Sequence, residues 1–278
     1  MSNWFDRLAV FDLETTGVDV ETARIVSAHV GVIDADGSVL ERLDWLADPG
    51  IEIPMQASAV HGISTAVARA NGRAAADVIA EIIAAIRSGF RRGLALVAYN
   101  APYDLTLLNR EATRHGIAPL ADPFPVIDPL VIDRAVDKYR KGKRTLTAAS
   151  LFYGVDLADA HDAGADAIAA GRVAQAIARA YPAQLGIDAA ELHRLQIGWC
   201  QQQATDFQAY MRRTHDPAFT CQSGWPERAV PERAYADELL ADRLRADELL
   251  AESLVTGVEL LHATGGVQDA LLAGVERV

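Results

Sequence analysis

The sequence predicts an α/β protein: a mixed five-stranded sheet flanked by helices, followed by a mainly helical C-terminal extension. Three features of the chain predict it. Three strand-like segments come first with no helix between them, strands and helices then alternate, and after Pro182 the strand signals stop. At 278 residues, 50% hydrophobic and 23% charged, the chain is long enough for one full core and an appendage.

Residues 7–14 (RLAVFDLE) are an apolar run ending in acids, and 24–34 and 38–46 read as the second and third strands. Asp36-Gly37 supplies the turn between these two, so the first three strands form a meander. Residues 74–90 (AAADVIAEIIAAIRSGF) carry apolar side chains at helical spacing, 94–100 (LALVAYN) is a short apolar strand, and 102–116 is a helix stopped by Gly116. A last strand is expected near 126–128, then helices over about 129–138, 145–153 and 163–181. These elements make one domain, residues 1–182. The extension, 183–278, reads as a long helix over 188–213, a turn-rich stretch over 214–232 with four Pro or Gly breakers, and a helix from 233 to about 262.

Composition narrows the function. A net charge of -12 argues against a broad basic face that grips nucleic acid by neutralising phosphates, but not against a small site where acids hold divalent cations. Cys200 and Cys221 lie in no CxxC or Cys/His cluster, which argues against a disulfide framework or structural zinc and for two reduced thiols. No window approaches the roughly 18 uninterrupted apolar residues of a membrane span, and MSNWFDR lacks the layout of a signal peptide, so a cytoplasmic protein with no membrane partner is expected.

The acids carry the chemistry. In FDLETTG (11–17), Asp12 and Glu14 stand two apart on a strand and so share a face. Like charges held that close repel, and burying either alone costs several kcal/mol, so something positive is expected between them. YNAPYD puts Asp104 in a helix's first turn, with Asn100 where an N-cap would sit; by itself Asp104 is explained by the helix dipole. HDAGAD puts His161 just outside another helix, Asp162 at its N-cap and Asp166 in its first turn, where the same ordinary explanation applies. Together, Asp12, Glu14, Asp104 and Asp166 sit at the strand ends and helix starts where an α/β sheet collects its ligands.

FDLETTG, then VHGI (60–63), then YNAPYDLTLL, then HDAGADA, in that order over residues 7–182, resemble the motifs of the DEDDh, or DnaQ-like, 3′-to-5′ exonucleases. That family includes the proofreading epsilon subunit of bacterial DNA polymerase III and RNase T. The resemblance implies an RNase H-like fold and two divalent cations, Mg²⁺ or Mn²⁺. It further implies that Asp12 bridges both, that Glu14 and Asp166 hold the one carrying the attacking water, and that Asp104 holds the other. His161 is then the general base, since an imidazole can take a proton near neutral pH. Leu13, Thr15, Thr16, Gly17 and His61 are implied to line the pocket of the terminal nucleotide, and Asn100 to contact substrate or merely cap its helix. Tyr99 and Tyr103 stand where the family commonly has His and Phe. The implied activity is hydrolysis of a single-stranded 3′ end, DNA ahead of RNA, to nucleoside 5′-monophosphates, by a free-standing nuclease or a polymerase's proofreading subunit. The competing reading is a nucleic-acid-binding module on the same fold that has lost catalysis.

KYRKGKR (138–144) places five cations in seven positions shortly before His161, either a solvated loop or a contact for the substrate backbone. In the tail, ADELLADRLR and ADELLAESL form a near-repeat whose paired leucines mark one apolar stripe, which packs on its own domain, self-associates or docks on a partner.

Overall fold

The computed structural model describes residues 3–157, 162–221 and 223–228. β1 (Arg7–Thr15), β2 (Ile25–Asp34) and β3 (Val39–Asp48) pair antiparallel in chain order, and Gly37, at φ 83°, makes the turn between the last two. Two short helices follow, α1 (Met55–His61) and α2 (Thr65–Asn71), and then β4 (Arg73–Ala74). The chain continues as α3 (Ala75–Arg91), β5 (Ala95–Val97), α4 (Ala101–Arg114), β6 (Val126–Ile127), α5 (Pro129–Val136) and α6 (Leu146–Tyr153). It ends with α7 (Ala163–Ala180), α8 (Pro182–Leu185) and α9 (Ala189–Thr214). β5 runs parallel to β1, and β6 to β5, so the strand order is β4-β3-β2-β1-β5-β6.

The sheet is mixed and flanked by helices, as predicted, but has six strands among the described residues rather than five. The additional strand, β4, is two residues paired parallel with the end of β3, too short to show a period of two in sequence. α1 and α2 also escape prediction: α1 has no buried residue and α2 only Ala68, so neither carries an apolar stripe.

Alternation along β1 builds the two layers. Ala9, Phe11 and Leu13 enter one core with α3 and α4, while Leu8 and Val10 face the other core with α7. α7 lies close on the sheet because of Gly171: a Cβ there would stand 2.6 Å from Val10 Cγ1 and from Ile33 Cδ1. Outer strand β6 is completed by side chains of α9. The Val126 N–H donates to His193 Nδ1 at 3.0 Å, the Asp128 N–H to Gln196 Oε1 at 2.7 Å, and Gln196 Nε2 to the Val126 carbonyl at 3.1 Å. Each such backbone group would cost about 1–3 kcal/mol if buried unpaired. α9 belongs to the same compact unit as the sheet. The helix predicted from 233 to about 262 lies outside the described residues. Among the described residues no helix is long and apolar enough to cross a membrane.

Candidate active site

Parallel strands bring the acids to one end of the sheet. β1 delivers Asp12 and Glu14 at its carboxyl end, on the face toward α7, and the first turn of α7 supplies Asp166. Ligand-type oxygens of these three carboxylates lie within 4.8 Å of one another. Asp104 arrives from the other layer: the first turn of α4 holds it, 4% exposed, against the end of β1. The backbone of Leu13 hydrogen-bonds to the Asp104 carboxylate, and of the neighbouring charges that of Asp104 acts most strongly on Asp12.

Burial, and then the charges of Asp104, Glu14 and Asp166, hold the Asp12 carboxyl well above the usual carboxylate range. Burial, Asp166 and Asp162 push Glu14 up to about 8. Burial raises Asp104 as well, against the backbone hydrogen bonds it accepts. Among the described residues no Lys or Arg forms an ion pair with Asp12, Glu14 or Asp104. The donor set fits hard divalent cations: three carboxylates converge, a fourth adjoins the first, and their shared charge is unfavourable until a cation offsets it.

The turn after β1 is knotted by hydroxyls. Thr15 Oγ1 donates to the Gly17 carbonyl at 2.8 Å and contacts Tyr103 Oη at 2.6 Å, and Tyr103 Oη donates to the same carbonyl at 2.5 Å. Tyr103 therefore contributes hydrogen bonds as well as the aromatic packing its sequence position suggested. Thr16 is buried and faces inward, its Oγ1 accepting from the Arg24 N–H at 2.9 Å. Leu13 is buried too, in the core layer opposite Asp12 and Glu14. His61, at the end of α1, accepts the Ile63 N–H on Nδ1 at 3.1 Å and lies beside the backbone of Thr15; burial lowers its pKa, and that backbone contact opposes the shift. His61 and the Thr15–Gly17 turn are thus brought together from distant sequence.

Asn100 occupies the N-cap position of α4, yet its side chain makes no capping hydrogen bond. Its backbone is left-handed, φ 67°, a conformation that Asn tolerates better than most residues. Buried Asp128 does the anchoring instead: its carboxylate accepts the N–H groups of Asn100 and Ala101, each at 3.0 Å, and that of Leu130. Burial nonetheless pushes Asp128 up to about 6. Tyr99 donates to the Arg144 carbonyl at 2.8 Å. Asp162 caps α7 by accepting the Ala165 N–H at 2.9 Å. His161 lies outside the described residues.

Two findings had no signal in the sequence. His29 stands directly across from Asp12 in the β1–β2 register, fully buried, with Nδ1 2.7 Å from Asp44 Oδ1. Its burial lowers its pKa, against the hydrogen bond to Asp44. In the basic run, Arg140 and Arg144 turn inward onto buried Asp133, at 2.5 and 2.8 Å, so the run is not a uniformly solvated cationic loop. Lys138 pairs with Asp206 at 3.5 Å, and Lys141 and Lys143 are exposed.

The family model described as exonuclease, RNase_T, matches residues 9–174. A segment of 180 residues is 33% identical to a DNA polymerase III subunit epsilon-like protein of Rhodobacter capsulatus, covering 63% of this chain and 23% of that protein. Another alignment, of 176 residues, is 29% identical to the DNA polymerase III PolC-type of Lacticaseibacillus paracasei, covering 60% of this chain and 11% of that one. The chain therefore spans less than a quarter of the length of these curated relatives. The crystal structure of E. coli exonuclease I in complex with a dT13 oligonucleotide superposes with a TM-score of 0.56 over 65% of this chain and 43% of that one. At 20% identity this likeness shows a shared fold.

Proposed function

The chain belongs to the exonuclease family, and from that premise we propose that it hydrolyses single-stranded DNA from the 3′ end, releasing nucleoside 5′-monophosphates. The observation that carries the reading is the meeting of Asp12, Glu14 and Asp166 within 4.8 Å, with Asp104 buried against the Leu13 backbone of the same strand and its charge acting on Asp12. Four acids from three distant segments, without a Lys or Arg paired to Asp12, Glu14 or Asp104 among the described residues, are costly in a fold that has no cation to receive. The same observation speaks against the binding-only reading.

Enzymes of this family use divalent metal, and we take the ions here to be Mg²⁺ or Mn²⁺ on the all-oxygen character of the donors. When bound, two such ions supply Lewis acidity that activates water and offsets charge on the phosphodiester. Asp12 would serve both ions, Glu14 and Asp166 would complete the first site and Asp104 the second. His161 takes the proton of the attacking water on a ring nitrogen. Thr15, Gly17 and His61 hold the terminal nucleotide, while Leu13 and Thr16 shape that pocket from within the core. DNA is proposed over RNA because the E. coli neighbour was crystallised with dT13 and the curated relatives are named for DNA polymerase III. Those names also favour action beside a polymerase, as a proofreading subunit.

The test is a comparison of 5′-labelled single-stranded DNA, duplex DNA and RNA with Mg²⁺, Mn²⁺ or EDTA. A ladder shortening from the 3′ end, fastest on single-stranded DNA and abolished by EDTA, is expected. Cleavage that persists in EDTA, or begins within a circular strand, would count against the proposal.

A further inference from the structure

A groove of about 910 Å³ starts at Asn100 and Pro102, in the same turn of α4 as Asp104. α5 forms one wall, α9 the other, and Phe219, Thr220, Cys221, Gly224 and Arg228 close its far side. It opens at the carboxyl ends of β5 and β6, on the side of the sheet where β1 delivers Asp12 and Glu14.

The lining has the chemistry of a single-strand track. Five cations face two acids there among the described residues, in a chain whose net charge is -12. Of the two acids, Asp128 is committed to backbone N–H groups and Asp206 to Lys138. Arg140 and Arg144 hold Asp133, which leaves Arg134 and Arg228 to face a ligand. Arg134 is exposed on the α5 wall. Arg228 stands with its guanidinium 5.8 Å from the centre of the Tyr103 ring, the ring that braces the Thr15–Gly17 turn. Its position is fixed, since its backbone N–H donates to Thr106 Oγ1 at 2.8 Å and Trp225, three residues before, is buried in the α3–α4 core. In the same groove the α9 wall presents Phe207, 49% exposed, edge-to-face with Phe219 at 5.7 Å. An exposed aromatic in a groove lined by cations suits a strand that alternates phosphates with bases.

We propose that this groove binds the nucleotides immediately 5′ of the terminal one, Arg228 and Arg134 receiving phosphates and Phe207 a base. The proposal rests on the exonuclease reading and adds a second site to it. Its consequence is a dependence on substrate length: the terminal nucleotide is held by the acids and the Thr15–Gly17 turn, and longer strands gain affinity along the groove.

The experiment measures kcat/KM for a DNA dinucleotide and for an oligonucleotide of about eight residues, a length within the usual range of single-strand sites. The full chain is compared with Arg134→Ala, Arg134→Glu and Phe207→Ala, both positions being exposed enough to spare the fold. Wild-type protein should prefer the longer strand by tenfold or more. Phe207→Ala should cut kcat/KM on that strand by about tenfold, the value of one base stack. Arg134→Ala should flatten the log-log salt slope by about 0.7, the share of one phosphate on a single strand, and Arg134→Glu should flatten it further. All three should act at least fivefold more on the longer strand than on the dinucleotide. Equal effects on both lengths, or none on the longer strand, overturn the groove. If wild-type protein cleaves neither substrate, the exonuclease reading itself fails, whereas cleavage of both at equal efficiency refutes the groove alone.

Discussion

Glu14→Gln should make the metal-free protein more stable. Burial and the charges of Asp166 and Asp162 raise the Glu14 carboxyl from the ordinary 4.5 to about 8. The folded chain then binds more protons than the unfolded one between those values, so stability falls as pH rises through that window. At about 1.4 kcal/mol per pH unit, the cost at pH 7 is roughly 3.4 kcal/mol before screening. Glu14 is only partly buried, and solvent reduces the figure to about 1–2 kcal/mol. Glutamine has no proton to lose and avoids this cost. In EDTA, thermal or urea unfolding should show the variant ahead by that margin at pH 7, about 2–6 °C in Tm. The gap should close toward pH 4.5 and widen up to pH 8. Millimolar Mn²⁺ should reverse the order, because wild-type protein gains more from the ion. A variant less stable than wild type in EDTA at pH 7, or a gap that grows toward low pH, would refute the electrostatic description of the cluster.

Metal affinity should rise about tenfold per pH unit between pH 6 and 7.5 for one displaced proton, checked by calorimetry; affinity flat across that window would mean the acids are already ionised without metal. His161→Ala should slow hydrolysis by about 10²- to 10⁴-fold while metal affinity is kept, and a parallel loss of affinity would make His161 a ligand instead of the base. Arg144→Ala should cost about 1.5–3 kcal/mol in urea unfolding because buried Asp133 loses a charged partner, whereas exposed Lys141→Ala should change stability by less than about 0.5 kcal/mol. Equal effects from the two would show the inward ion pair to be unimportant.

What the sequence disclosed was whatever has a local cause. Alternation in RLAVFDLE put Asp12 and Glu14 on one face, and the first-turn positions of Asp104 and Asp166 follow from helix boundaries that Asp162, Pro102 and Gly116 punctuate. Non-local causes left no trace. Asp128 anchors Asn100 from 28 residues away, and His193 and Gln196 serve the backbone of β6 from about 70 residues on. Asn100 reads as an ordinary cap, yet a different carboxylate holds its backbone and its own side chain caps nothing. The basic run was only partly legible for the same reason, since nothing local tells Arg144, which bonds a buried acid, from Lys143, which meets solvent. β4, α1 and α2 were missed because they bury too little to impose a pattern.

The most direct measurement follows the products from a 5′-labelled single-stranded DNA treated with wild-type protein and with Asp12→Asn, in Mn²⁺ and in EDTA. Asparagine keeps the shape but removes the charge of the acid that lies within 4.8 Å of Glu14 and Asp166 and on which the charge of Asp104 acts most strongly among its neighbours. The expected result is a 3′-shortening ladder and free nucleoside 5′-monophosphate from wild-type protein in Mn²⁺, nothing in EDTA, and nothing from a folded Asp12→Asn variant in either. Undiminished, metal-dependent shortening by Asp12→Asn would contradict the assignment of this cluster as the catalytic centre.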